Sequence, residues 1–126
     1  MKVKRFTIAG LTALALTSSA WAEGDAAAGA TVFTQCSACH AVGEGAQNSV
    51  GPVLNGVVGR PAGTYPSYRY SSAMRKSGLT WDEPTLTQYL KAPEKLVPGS
   101  KMVFPGVAND ADLANLIAYL KQQPAE

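Results

Sequence analysis

The 126-residue chain predicts an all-α fold with long loops, and three observations carry that prediction. Leu113, Leu116, Ile117 and Leu120 recur at i, i+3, i+4 and i+7, the stripe of an amphipathic helix. Helix-opening residues precede other segments: Asp25, and Asp82 with Pro84 two positions on. No segment alternates strictly between apolar and polar residues, so a half-buried strand has no support. At 13.1 kDa one domain is expected. With 46% hydrophobic and 16% charged residues, that domain folds rather than stays disordered.

The elements follow in order. Met1-Lys2-Val3-Lys4-Arg5 is a positive start, Thr7 to Leu16 a short apolar stretch, and Ala20-Trp21-Ala22 offers the small side chains that a signal peptidase accepts. The stretch is far short of the ~20 residues that cross a bilayer. Residues 1–22 therefore read as a cleaved secretory leader and 23–126 as the mature domain, with an uncleaved N-terminal tether as the alternative. Asp25 caps a helix from about Ala26 to Phe33. Gly43 to Pro61 holds five glycines and two prolines and reads as a wandering loop. Its Gly43-x-Gly45 start lacks the third glycine and the preceding strand of a dinucleotide fingerprint. Ser71 to Ser77 is a short helix stopped by Gly78, and Asp82 opens another that runs to about Lys91, before Pro93. The last helix is capped by Asn109 or Asp110 and ended by Pro124, with Gly29, Phe33 and Tyr119 as contacts between the first helix and the last.

Charge excludes one class of partner. Eleven Lys+Arg against nine Asp+Glu give +2, and the leader carries Lys2, Lys4 and Arg5 and no acid. The mature chain then has 11 − 3 = 8 basic residues against nine acidic ones, a net of −1. Such a surface does not wrap nucleic acid. An exported product, expected in the periplasm, also sits where disulfides form.

Both cysteines and the one histidine lie in Cys36-Ser37-Ala38-Cys39-His40, the C-x-x-C-H signal for covalent c-type haem attachment. On a helical turn, residues three apart share a face, so both sulfurs reach the two vinyl groups along one porphyrin edge. The adjacent imidazole turns beneath the iron. A redox-active dithiol is one alternative, but no strand-like run precedes Cys36. A structural disulfide beside a coincidental histidine is the other.

The second axial position cannot be a histidine, because there is none left. The mature methionines are Met74 and Met102. Met102 lies in a Pro- and Gly-rich loop, Val97 to Gly106, where a thioether can be brought back over a haem. Met74 lies in a short helix-like segment and reads as a packing residue.

The mature chain resembles the class I cytochromes c, near the branch of the bacterial cytochromes c2 and mitochondrial cytochromes c. Besides the haem motif, the resemblance rests on Gly51-Pro52, Gly59-Arg60, Tyr70-Ser71-x-Ala73, Leu79-Thr80-Trp81, Tyr89-Leu90-x-x-Pro93, Pro98-Gly99-Ser100-Lys101-Met102 and Leu116-x-x-Tyr119-Leu120. It implies three main helices plus short ones, with loops, around one covalently bound haem c. It implies thioethers at Cys36 and Cys39, axial ligands at His40 and Met102, and a Pro52 carbonyl accepting from the histidine. It further implies that Arg60, Tyr70 and Trp81 hold a haem propionate and that Tyr89 lies near the methionine sulfur.

The implied activity is one-electron transfer, Fe(III)/Fe(II), between redox partners: a cytochrome bc1-type complex, an oxidase, a reaction centre or a dehydrogenase. A small peroxidase or gas sensor is the enzymatic alternative, and no second histidine is present to serve it as acid or base. One departure from mitochondrial members stands out. Lysines on the expected docking side are few (Lys91, Lys95, Lys101), so strong steering toward an acidic partner is not expected. A monomer is expected, since no broad apolar surface stripe is left over.

Overall fold

The computed structural model describes residues 9, 10, 12, 13 and 24–125. The leader expected over 1–22 and its cleavage point thus lie, those four residues aside, outside the described residues.

Among the described residues five helices form: α1 (Ala26–Phe33), α2 (Ser72–Lys76), α3 (Glu83–Lys91), α4 (Pro93–Leu96) and α5 (Asp110–Lys121). Among the described residues there is no strand, only one isolated antiparallel bridge, between Pro61 and Thr80. The caps explain where the helices begin. Asp25 Oδ1 accepts from Ala27 N at 2.9 Å, Asp82 Oδ1 from Thr85 N at 2.9 Å and Asn109 Oδ1 from Asp112 N at 3.0 Å. Each satisfies a backbone donor that the first turn leaves orphaned. Asn109 rather than Asp110 is the last cap, and α5 stops at Lys121, three residues before Pro124.

Helix α4 was not legible beforehand. Ala92 closes α3 by donating to Gln88 O at 3.2 Å and opens α4 as its cap residue. Pro93 then sits where a missing N–H costs nothing, and its fixed φ starts a new turn instead of ending structure.

The packing centre is the contact between α1 and α5. Leu113, Leu116, Ile117 and Leu120 are all buried, and the Phe33 and Tyr119 rings lie 5.3 Å apart. Gly29 makes this approach possible: a Cβ there would collide with the Asn115 carbonyl and come within 2.8 Å of Tyr119 Cβ. The backbones are fastened as well as packed, since Asp25 N donates to Asn115 Oδ1 at 2.8 Å. Helix α2 is capped by the Ser71 hydroxyl and followed by Gly78 at φ +67°, and it buries Met74 in the core.

Gly29→Ala therefore separates propensity from packing. Alanine is the better helix former by about 1 kcal/mol, yet its methyl has no space. We expect a net loss of about 1–3 kcal/mol, the cost of overpacking. A denaturant titration checks this, with the exposed Ala30→Gly losing no more than about 1 kcal/mol.

Candidate functional site

The chain leaves α1 through tight turns that set the cysteine spacing. Cys36 N donates to Phe33 O at 2.7 Å, while Cys39 N and His40 N both donate to Cys36 O, at 3.1 and 3.0 Å. The helical winding thus continues past the helix end, and both sulfurs reach one cavity of about 260 Å³. The cysteines are not bonded to one another. Burial, with Cys39 beside it, pushes the Cys36 thiol above its ordinary range. A redox-active dithiol needs the opposite shift, toward thiolate. That alternative has no electrostatic support here.

His40 is oriented by one contact. Its Nδ1 lies 2.7 Å from the Pro52 carbonyl oxygen. A carbonyl only accepts, so Nδ1 carries the proton and Nε2 is left as a bare lone pair. Burial lowers the His40 pKa, the Pro52 bond raises it, and the Arg60 charge lowers it further; the net direction is down. The ring is therefore neutral at neutral pH, the state that can ligate a metal. Gly51 explains the preceding position, because a Cβ there would run into the imidazole. Gly51 N also donates to Cys39 O at 2.8 Å, tying this loop to the cysteine turn.

Met102 arrives from the other end of the sequence, on the loop after α4. Gly99 takes φ +84° there. Ser100 Oγ lies 3.0 Å from Tyr89 Oη and accepts from Met102 N at 3.4 Å. A buried tyrosine on α3 thereby anchors the methionine loop through one hydroxyl, and burial pushes the Tyr89 phenol up. Met102 lines the same cavity as Cys36, Cys39 and His40. Met74 lines it too, but from within α2 and the hydrophobic core.

Arg60, Tyr70 and Trp81 complete the lining. The Arg60 guanidinium donates from Nη1 to Asn55 O at 3.0 Å and from Nη2 to Val53 O at 3.3 Å, while its buried Nε has no partner. A buried cationic donor left over is costly unless an acidic group meets it. Tyr70 Oη accepts from Tyr65 N at 3.0 Å, and the Trp81 and Tyr89 rings are 4.8 Å apart. All nine residues expected at the site thus line one cavity.

Some contributors had no sequence signal. Asn55 is buried and clasps both backbone groups of Gly43, accepting from its N at 2.7 Å and donating to its O at 2.9 Å. Tyr68 donates to Val50 O at 2.7 Å. A lone Asn or Tyr in a loop gives no local pattern, because its partner is distant in sequence.

The donor set tests what the cavity accepts. Among the described residues no three His, Cys, Asp or Glu converge as a cage for a bare ion. A mostly apolar lining with two thiols on one turn, a bare imidazole nitrogen, a thioether and an orphaned guanidinium N–H fits a haem instead.

Known proteins agree. The Cytochrome c family profile matches residues 26–124. The chain is 50% identical over 123 residues to a cytochrome c2 of Rhodomicrobium vannielii, covering 98% of each chain. It is 54% identical over 103 residues to a cytochrome c2 of Rhodoblastus acidophilus, 82% of this chain and 96% of that one. Among solved structures, cytochrome cH from Methylobacterium extorquens superposes with a TM-score of 0.74 at 52% identity, over 78% of this chain and 98% of that one. The chain belongs to the class I cytochrome c family, electron-transfer proteins that carry covalently bound haem c.

Proposed function

We propose that the chain is a periplasmic one-electron shuttle, with thioether bonds at Cys36 and Cys39 and axial ligands at His40 and Met102. The observation that carries this reading is the convergence of those four side chains on one cavity, with His40 already held by Pro52. When bound, haem c supplies an iron that accepts and releases a single electron. The protein's own work is to keep that centre closed and still. Pro52 fixes the imidazole plane and raises its basicity as a ligand. Tyr89 and Ser100 hold the methionine loop, and its soft sulfur favours the reduced metal. Arg60, with Tyr70 and Trp81, offers N–H and O–H groups to a propionate. Among the described residues the cavity lining contains no carboxylate and no second imidazole, which speaks against peroxidase-type acid–base chemistry.

Exposed apolar side chains stand at the cavity mouth, beside the exposed Lys101. Val50 is 71% exposed and Val103 is 100% exposed, and both line the cavity mouth, one on the histidine side and one beside Met102. Lys91 pairs with Asp110 at 2.9 Å. We assign the leader, residues 1–22, to export and removal.

Three outcomes are expected. The exported protein has the mass of residues 23–126 plus one haem, and its colour survives denaturing electrophoresis. The reduced protein does not bind carbon monoxide at neutral pH, whereas Met102→Leu binds it, with a potential lower by on the order of 0.1 V, within the roughly 0.8 V that axial ligands span. Electron transfer with a purified redox partner changes by less than about threefold as salt rises from about 0.02 to 0.2 M, since a mature chain of near-zero net charge with few lysines on its docking side steers weakly. A Met102→Leu protein that excludes carbon monoxide overturns the ligand assignment.

A further inference from the structure

The two loops that carry the proposed ligands are tied to one short segment, residues 65–70. On the histidine side, Asn48 Nδ2 donates to Pro66 O at 3.0 Å and Tyr68 Oη donates to Val50 O at 2.7 Å. On the methionine side, Lys101 Nζ donates to Arg69 O at 2.5 Å, and the same ammonium stands 5.5 Å from the centre of the Tyr68 ring. Within the segment, Tyr68 and Tyr70 meet edge-on at 4.8 Å, and Tyr70 Oη accepts from Tyr65 N. Ser67 is held at φ +62°, a left-handed conformation that a non-glycine residue keeps only where its surroundings hold it.

We infer that residues 65–70 form a brace between the two ligand loops, and that Lys101 and Tyr68 are positioning residues for Met102. The inference rests on the proposed Met102 ligation. Lys101 immediately precedes Met102 and turns its ammonium onto a backbone carbonyl and a ring face. A charge used in that way clamps the loop instead of projecting toward a partner. Tyr68 carries the load onward to Val50, two residues before Pro52. The methionine loop is thereby fastened at two points, through Ser100 to Tyr89 and through Lys101 to the brace. Opening it to expose the metal's distal side requires breaking the second fastening, which is the solvent-exposed one.

Imidazole binding to the ferric holoprotein reads that opening directly, because the added ligand enters only when Met102 leaves. Lys101→Met keeps the length of the side chain and removes the donor. We expect its imidazole association rate to rise roughly three- to tenfold, the scale of one lost hydrogen bond at a solvent-exposed site. Lys101→Arg, which retains a donor, stays near the parent rate, Tyr68→Phe shifts in the same direction as Lys101→Met, and Lys95→Met is unchanged. Parent-like imidazole kinetics in Lys101→Met, in a protein whose optical spectrum keeps the thioether–ferric iron band, overturn the inference. Absence of that band from the parent protein overturns the Met102 ligation itself, and this is seen before any variant is made.

Discussion

The hydrogen bond between His40 Nδ1 and the Pro52 carbonyl is the constraint on which the rest of the site depends. It decides which ring nitrogen keeps its proton, and so which one faces the cavity. The contact joins residues 12 apart, so the loop after the cysteine turn must be held in register. That is done by Gly51 N on Cys39 O, Leu54 N on Ala41 O, and Asn55 on both backbone groups of Gly43. Gly51 has no side chain because the imidazole occupies that space. A single ligand geometry thus accounts for a loop that has neither helix nor strand.

The architecture answers a problem of size. A chain this small buries a limited fraction of its surface, and its helices are short. One tight contact, α1 on α5, supplies a core without the cofactor, fastened by Asn115 and made possible by Gly29. The remaining apolar side chains, among them Leu54, Val57, Leu86 and Phe104, line a cavity whose natural filling is a large planar ring. Covalent attachment lets that ring serve as core without a deep pocket of preformed shape. Electron transfer would benefit from the same arrangement: a centre held by His40, Met102 and the two cysteines, as proposed, would have little to rearrange when its charge changes.

The parts of this structure that were readable from the amino-acid sequence are those with local signals. Asp25, Ser71 and Asp82 cap the helices expected of them because capping is a contact within three residues. The C-x-x-C-H motif is likewise local, and its chemistry could be read outright. Met102 could be proposed by exhausting the alternatives, and Arg60, Tyr70, Trp81 and Tyr89 through family resemblance, since nothing near each residue distinguishes it from a packing aromatic or a solvated charge. Helix α4 escaped because Pro93 reads as a terminator when it is an initiator. Asn55, Tyr68 and the role of Ser100, which was named only as part of a motif, escaped for a different reason. Their partners, Gly43, Val50 and Tyr89, lie 11 to 18 positions away, beyond any periodic pattern.

Of the two methionines of the mature chain, Met102 and not Met74 is proposed to face the iron. Methyl-labelled methionine observed by NMR in the reduced protein tests it most directly, because a thioether methyl held over a porphyrin is shifted far upfield by the ring current. One such resonance is expected, retained in Met74→Leu and lost in Met102→Leu. A shifted methyl that disappears with Met74, or no shifted methyl at all, contradicts it.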